Sequence, residues 1–289
     1  MVYSLLEQKL INSPFLYREQ LTIPRNVNFG LELELDKINP DEVYSLVRKQ
    51  MGGEWKVKSD KSLTVGENSE IVSPILQNTK DTWIMLKKMS ELLKKLNPNY
   101  DNCSFQINFD GDFLETVDDK VRFLKLFATY EDIIYRFSKG EDRHYRESLE
   151  KYAAPIILML KDGVMFFDEE TTVDVFSNNK RYGVVFKTDK KNLIEFRTPN
   201  MTNNPLLWQN YITMFYYLLE YAASNKCDKK ILDEYIRNYS KIYVLENYEL
   251  DRREKACKFS DMIFNNSVDK INFMHQYLGE EGPKKYVLK

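Results

Sequence analysis

Two glutamates stand two residues apart in the segment NFGLELEL, Asn28 to Leu35, which alternates strictly between apolar and polar positions. Residues two apart in a β-strand share a face and lie about 6.6–6.8 Å apart, so Glu32 and Glu34 face the same side. Two carboxylates so placed repel each other unless water, a basic side chain or a cation neutralises them. Because Mg²⁺ prefers oxygen ligands and commonly joins carboxylates to nucleotide phosphates, the pair indicates either a magnesium site or the solvated face of an amphipathic edge strand.

A second pair of charged residues occurs late in the chain, where Glu195 and Arg197 alternate with the apolar Ile194 and Phe196. A carboxylate that binds metal beside a guanidinium that binds phosphate would suit phosphoryl transfer, because arginine grips phosphate oxygens in a planar fork. The alternative is a cross-strand ion pair. The sequence leaves both interpretations open.

Between these two pairs lie other polar residues whose pattern indicates a binding role less strongly. Asp60 and Ser62 precede Glu70 in the segment SDKSLTVGENSEIVSP, and their alternative role is to form a turn. Gln106 and Asn108 alternate with apolar residues in SFQINFD and offer amide oxygens, which are weaker ligands for hard cations than carboxylates. Their alternative is a polar face whose hydrogen bonds are satisfied within the protein.

Hydrophobic periodicity predicts the elements that must position these residues. We expect strands over Asn28–Leu35, Glu54–Lys58, Ser69–Val72, Ser104–Asp110, Val164–Phe167, Tyr182–Lys187 and Leu193–Thr198. We expect helices over Asp41–Met51, Thr79–Leu96, Asp118–Phe137, Trp208–Ala223, Lys229–Tyr239 and Asp251–Phe264. Strands and helices follow one another without a regular βαβ rhythm, which predicts an α+β protein with a mostly antiparallel sheet flanked by helices.

Composition narrows the classes of function. The 289 residues carry 42 basic and 44 acidic side chains, a balance that argues against a general nucleic-acid binder. No apolar run approaches the roughly 18–20 residues of a membrane helix, so we expect no membrane partner. The three cysteines form no CxxC pair, which favours a reducing, cytoplasmic location. Neither GxGxxG nor GxxxxGK[ST] occurs, so a glycine loop for phosphate is not predicted.

Taken in order, five segments resemble the amidoligase family, which groups carboxylate–amine ligases related to glutamine synthetase and glutamate–cysteine ligase. The segments are FGLELEL, SDKSL, SEIVSP, CSFQINF and EFRTPNMTNNPLLWQNYI. The resemblance covers about residues 28–223. It implies a curved sheet like that of the glutamine synthetase catalytic domain. No linker rich in proline, glycine or serine divides the chain, so we predict one domain over residues 1–289, with residues 224–289 as a helical C-terminal extension outside the resemblance.

The resemblance also implies ATP and Mg²⁺ or Mn²⁺ as cofactors, with roles for particular residues. The implied metal ligands are Glu32, Glu34, Glu70 and Glu195, and Gln106 joins them as an oxygen ligand. Arg197 is implied to contact the transferring phosphate, with Glu195 beside it. The residues expected near nucleotide or substrate are Asp60, Ser62, Asn108, Arg136, Arg143 and Arg146. The reaction would join a small-molecule or peptide carboxylate to an amine through an acyl phosphate, and the resemblance fixes no oligomeric state.

The chain departs from the family pattern at one strand. The family usually reads G-L-H-V-H where this chain has Ser104-Phe105-Gln106-Ile107-Asn108, so amides replace two imidazoles. The alternation survives the change. The departure keeps a second hypothesis open, a catalytically degenerate member that acts as a binding or structural module. A hydrolase that uses a carboxylate pair is a third option.

Overall fold

The alternating segment at Asn28 forms the centre of an antiparallel sheet. The computed structural model describes residues 16–59, 67–140, 146–166, 168–189, 191–239 and 252–279. Its seven strands are β1 Asn28–Leu35, β2 Lys56–Ser59, β3 Ser69–Val72, β4 Leu76–Gln77, β5 Phe105–Asp110, β6 Val184–Lys187 and β7 Leu193–Phe196. They lie in the order β2-β3-β1-β5-β7-β6, and β4 pairs with the beginning of β1. Every pairing between these strands is antiparallel, as the sequence predicts.

The described residues form eleven α-helices, so the fold is a mixture of helices and an open antiparallel sheet. The first six are α1 Pro40–Met51, α2 Lys80–Leu96, α3 Val117–Thr129, α4 Glu131–Ser138, α5 Leu149–Tyr152 and α6 Ile157–Phe166. The others are α7 Glu169–Val175, α8 Pro205–Ala223, α9 Lys229–Arg237, α10 Arg253–Ile263 and α11 Ser267–Leu278. None of the helices in the described residues is long and apolar enough to cross a membrane.

Polar side chains set the beginnings of the longer helices. The Asn39 side chain accepts hydrogen bonds from the first backbone N–H groups of α1, and Thr79 does the same for α2. Asn204 caps α8, whose first residue is a proline. These residues satisfy N–H groups that have no partner inside the helix. Five of the six predicted helices occur as single helices, with ends shifted by a few residues.

The hydrophobic core lies between one face of the sheet and helices α2, α3 and α8. Phe29 of β1 stacks on Trp83 of α2 with ring centroids 6.0 Å apart. Phe196 of β7 stacks on Phe215 of α8 at 4.0 Å. Because successive strand residues point to opposite faces, this packing leaves the other face of the sheet to the polar residues of the same strands.

The predicted helix Asp118–Phe137 is two helices, because the helix is interrupted at Tyr130. Thr116 caps α3, and Asp119 completes a reciprocal capping box with Thr116. After the break, the buried Glu131 at the start of α4 accepts hydrogen bonds from the backbone N–H groups of Ile156 and Ile157. The apolar periodicity continues through the break since both helices bury residues in the core, so the pattern alone gives no sign of it.

The predicted strand Val164–Phe167 is wrong up to residue 166, because this stretch belongs to helix α6; Phe167 lies outside the described residues. A short apolar run fits a buried strand and a buried helix equally well. Here the carboxylate of Glu131 satisfies N–H groups where the helix begins. That contact comes from a distant part of the chain, and it favours the helix.

Candidate functional site

The strand register brings the predicted polar residues to one face of the sheet. Residues directly opposite in an antiparallel pair share a face, and Glu32 lies opposite Gln106. Glu34 lies opposite Glu70, and Asn108 lies opposite Glu195. We define the polar face by these residues and the basic side chains that contact them: Glu32, Glu34, Lys58, Glu70, Gln106, Asn108, Lys187, Glu195 and Arg197.

Glu34 is a buried carboxylate held by donors from β5 and the residue before it. Gln106 Nε2 donates to Glu34 Oε1 at 2.6 Å, and the backbone N–H of Ser104 donates to Glu34 Oε2 at 2.7 Å. Only 6% of Glu34 is exposed to solvent. Burial of an ionised group is costly unless donors replace the lost water, and these contacts supply that replacement at both carboxylate oxygens.

Gln106 links this carboxylate to Arg197. Its Oε1 accepts from Arg197 Nη1 at 2.8 Å while its Nε2 donates to Glu34. Arg197 Nε donates to the backbone carbonyl of Tyr152 at 2.8 Å, which fixes the guanidinium at a second point. Arg197 Nη2 makes no hydrogen bond within the described residues. The buried guanidinium, 6% exposed, is therefore fixed through Nε and Nη1.

Glu195 is fully buried between two cations. Arg197 Nη1 donates to Glu195 Oε1 at 2.8 Å, and Lys187 Nζ forms an ion pair with Glu195 Oε2. Lys187 also reaches Glu32 Oε1 at 3.1 Å. Burial lowers the pKa of Lys187, but attraction to Glu195 and Glu32 outweighs burial, and the net effect is a raised pKa. Lys187 therefore stays protonated at neutral pH.

Glu32 is more exposed to solvent than Glu34 and Glu195. Asn108 Nδ2 donates to Glu32 Oε1 at 3.0 Å, and Lys187 contacts the same oxygen. Burial raises the pKa of Glu32, whereas Lys187, Lys58 and Asn108 lower it, and the net direction is downward. Glu32 Oε2 makes no hydrogen bond within the described residues. Glu70, on the neighbouring strand, pairs with the exposed Lys58 at 3.1 Å.

The arginines expected near nucleotide or substrate have other contacts. Arg146 is buried and donates to the carbonyl of Pro199 at 2.7 Å and to that of Arg197. Burial lowers the pKa of Arg146 to about 10, although Glu34 attracts its charge. Arg136 donates to the backbone carbonyl of Tyr277 and lies over its ring, in α11. The predicted site residues that lie outside the described residues are Asp60, Ser62 and Arg143.

A cleft of about 170 Å³ opens on the polar face where β1 begins and β5 ends. Its polar lining includes Glu32, Asn108 and Asp110, and its apolar lining includes Pro74 and Ile75. Ile75 is 71% exposed, so one apolar wall faces solvent. The cleft can thus present oxygen and nitrogen groups at its floor and an apolar edge at its rim.

On the polar face, Asn108 and Glu32 offer oxygen ligands for a hard divalent cation. Asn108 Oδ1 is buried and has no hydrogen-bond partner within the described residues, and it lies on the same side chain that contacts Glu32. Amide and carboxylate oxygens are the ligands that such a cation prefers. Glu195 Oε2 is also buried without a hydrogen bond in the described part of the chain, but it forms an ion pair with Lys187, and Arg197 donates to Oε1, so both oxygens of Glu195 already face a positive charge. Among the described residues, no group of three or more acidic, cysteine or histidine side chains converges to hold a metal.

Sequence reasoning missed Lys187. The residue ends β6, and its alternation with Val185 placed it on the face of Glu195, which lies opposite Val185. That alternation, together with the need of a buried carboxylate for a cation, was the available signal.

The sequence was also compared with known proteins. No family model and no curated protein matches it.

Proposed function

We propose that the protein is an ATP-dependent carboxylate–amine ligase with a sheet like that of the glutamine synthetase catalytic domain. The observation that carries the proposal is the alignment of Glu32, Gln106 and Glu195 on one sheet face, with Arg197 held beside them. The segments that resemble the amidoligase family supply four of the strands on this face, β1, β3, β5 and β7. An antiparallel sheet with a polar face agrees with the fold that the resemblance implies.

The reaction would proceed in two transfers. A substrate carboxylate oxygen attacks the γ-phosphorus of ATP, the bond to ADP breaks, and an acyl phosphate forms. A neutral amine then attacks the acyl carbon, the carbon–oxygen bond breaks, phosphate leaves, and the amine nitrogen loses a proton. Such chemistry depends mainly on positioning and on stabilisation of charge that develops in the transition state.

The residues of the polar face suit those demands. Arg197 is fixed at Nε and Nη1 by Tyr152, Gln106 and Glu195, which leaves Nη2 to donate to a phosphoryl oxygen. A guanidinium held in place costs little reorganisation when the phosphate charge moves. Glu32 and Asn108 would hold Mg²⁺ through a carboxylate oxygen and the amide oxygen Asn108 Oδ1, which has no hydrogen-bond partner among the described residues. When bound, Mg²⁺ supplies charge neutralisation to the phosphates.

The test is ADP release from ATP by the purified full chain with Mg²⁺, screened against pooled carboxylates and amines. We expect ADP only when both pools are present, with a loss of about 100-fold or more in Arg197→Lys, since loss of one such donor typically costs that much. Glu32→Gln should lose activity as well. Glu91→Gln, an exposed change of the same chemical type on α2, is the matched control and should keep it. Absence of ADP across a broad panel, or full activity in Arg197→Lys, would refute the proposal.

A second candidate is a non-catalytic module that retains the fold. The observation that favours it is that Lys187 and Arg197 neutralise Glu195, while Gln106 stands where the family has a histidine. This candidate predicts weak binding of Mg·ATP. Titration calorimetry decides between the two, because tight Mg·ATP binding that Glu32→Gln weakens is expected only of the ligase.

A further inference from the structure

Lys187 reaches two carboxylates that lie on different strands. It ends β6 at the edge of the sheet, Glu195 lies on the adjacent β7, and Glu32 lies on β1, beyond β5. Adjacent strands are about 4.8 Å apart and Glu32 and Glu195 are offset by two residues along the strands, so their backbones are roughly 12 Å apart. Their carboxylates leave room for one small cation between them. The Lys187 ammonium stands there, at 3.1 Å from Glu32 Oε1 and in an ion pair with Glu195 Oε2.

The surroundings hold this ammonium in place. Glu195 is fully buried and 23% of the Lys187 side chain is exposed, so the pair is largely shielded from water. Arg197 balances the other oxygen of Glu195. A divalent ion that used Glu195 Oε2 as a ligand would have to displace the Lys187 ammonium from it and also lose its own water.

We propose that the Lys187 ammonium is the resident cation between Glu32 and Glu195, in the place that a divalent metal would take, and that Glu195 is not a metal ligand. The inference rests on the proposed function, because the excluded ion is the one that the ligase would use. In that reaction Lys187 supplies a fixed positive charge beside Arg197, and a divalent ion binds only at the Glu32 and Asn108 oxygens. Metal binding alone tests the inference, so a failure of ligase activity leaves its outcome unaffected.

The main experiment measures Mn²⁺ binding to the full chain by electron paramagnetic resonance of the free ion. Mn²⁺ takes the same oxygen ligands as Mg²⁺. We expect Lys187→Met to gain a site at least 10-fold tighter than any in the wild type, because removal of the ammonium leaves two carboxylates facing one space. The double variant Lys187→Met/Glu195→Gln should lose that gain. Lys187→Arg, which keeps the charge, should not acquire it.

Lys58→Met is the matched control, because Lys58 also pairs with a carboxylate of the polar face but is exposed at the sheet edge. It should bind Mn²⁺ as the wild type does. Equal Mn²⁺ affinity in the wild type and Lys187→Met would overturn the proposal. A gain that persists after Glu195→Gln would also overturn it, since the new site would then not involve Glu195.

A second measurement covers the case in which Lys187→Met fails to fold. Glu195→Gln alone keeps the shape of the side chain and both basic neighbours. If Glu195 is not a metal ligand, this variant binds Mn²⁺ within twofold of the wild type, whether the wild-type affinity is high or low. A loss of 10-fold or more in Glu195→Gln, with an unchanged circular dichroism spectrum, would show that Glu195 binds the metal and would overturn the proposal.

Discussion

Gln106 forms hydrogen bonds with both the Glu34 carboxylate and the Arg197 guanidinium in the protein interior. This arrangement leads to a specific prediction. It donates to Glu34 at 2.6 Å, accepts from Arg197 at 2.8 Å, and is 4% exposed. A carboxylate only accepts hydrogen bonds and a guanidinium only donates them. A neutral amide satisfies both neighbours at once, because one of its ends donates and the other accepts.

The informative change is Gln106→Glu, which keeps the size of the side chain and its acceptor toward Arg197. The nitrogen that donates to Glu34 becomes an oxygen, at about the 2.6 Å that now separates the two atoms. Two carboxylates so close cannot both ionise without a large cost, so one keeps its proton and its pKa rises above the ordinary value of about 4.3. The variant therefore has two neighbouring carboxyl groups that share a proton, at positions 34 and 106, whereas the wild type has a carboxylate beside a neutral amide.

The direction of the pH dependence follows from proton binding. A folded state with a raised pKa holds more protons than the unfolded chain above pH of about 4.3, so its stability falls as pH rises. The loss is about 1.4 kcal/mol for each unit by which the pKa is raised. A rise of two to three units gives a loss of about 3–4 kcal/mol at pH 7 relative to the wild type. Near pH 4.5 most of that difference should vanish.

Urea unfolding between pH 4.5 and 7.5, followed by tryptophan fluorescence, measures this difference. Trp83 and Trp208 are fully buried, so their emission reports the loss of the core. Gln50→Glu makes the same chemical change at an exposed position of α1 and should differ from the wild type by less than about 0.5 kcal/mol at every pH. A stability difference for Gln106→Glu that does not change with pH would show that repulsion between the two carboxylates is not its cause.

Three further changes probe contacts that support the site, each read by urea or thermal unfolding. Glu131→Gln replaces one of the oxygens that accept from the first N–H groups of α6, and we expect a loss of about 1–2 kcal/mol. Arg146→Met removes donors from buried carbonyls around Pro199 and should cost about 3 kcal/mol, whereas a purely ligand-binding arginine would be neutral in the free protein. Gly183→Ala would place its Cβ 2.3 Å from Tyr135 Oη, so we expect a loss of about 1–3 kcal/mol; Gly53→Ala, with nothing within 4 Å, should be neutral.

The sheet was largely predictable because alternation is a local property. The predicted strand Asn28–Leu35 has the observed bounds, and its polar residues share a face with Gln106 and Glu195. Helix α11, Ser267–Leu278, was missed although Asn266 stands at its N-cap and Asp269 in its first turn. That signal was present in the sequence. The break at Tyr130 carries no such signal, since it depends on where Glu131 meets a distant segment.

The charge pairing on the polar face was not predictable in the same way. Lys187 contacts Glu32 across 155 residues of sequence, and Arg197 contacts Gln106 across 91. Periodicity fixes the face of a strand on which a side chain lies but not which side chains meet across the sheet, because the register depends on the loops and on the whole core. The roles of these residues in binding metal, nucleotide or substrate stay predictions.

The same physical requirement explains why the sequence points to metal and the structure to lysine. A carboxylate as buried as Glu195 needs compensating positive charge, because its desolvation costs several kcal/mol. That requirement is met equally by a divalent ion or by basic side chains, and a glutamate in a strand pattern does not distinguish them. The distinction lies in whether a lysine or arginine can reach the carboxylate. Lys187 and Arg197 both reach Glu195, so its requirement is met without metal. Asn108 Oδ1, by contrast, has no hydrogen-bond partner among the described residues, and it leaves a place for a divalent ion beside Glu32.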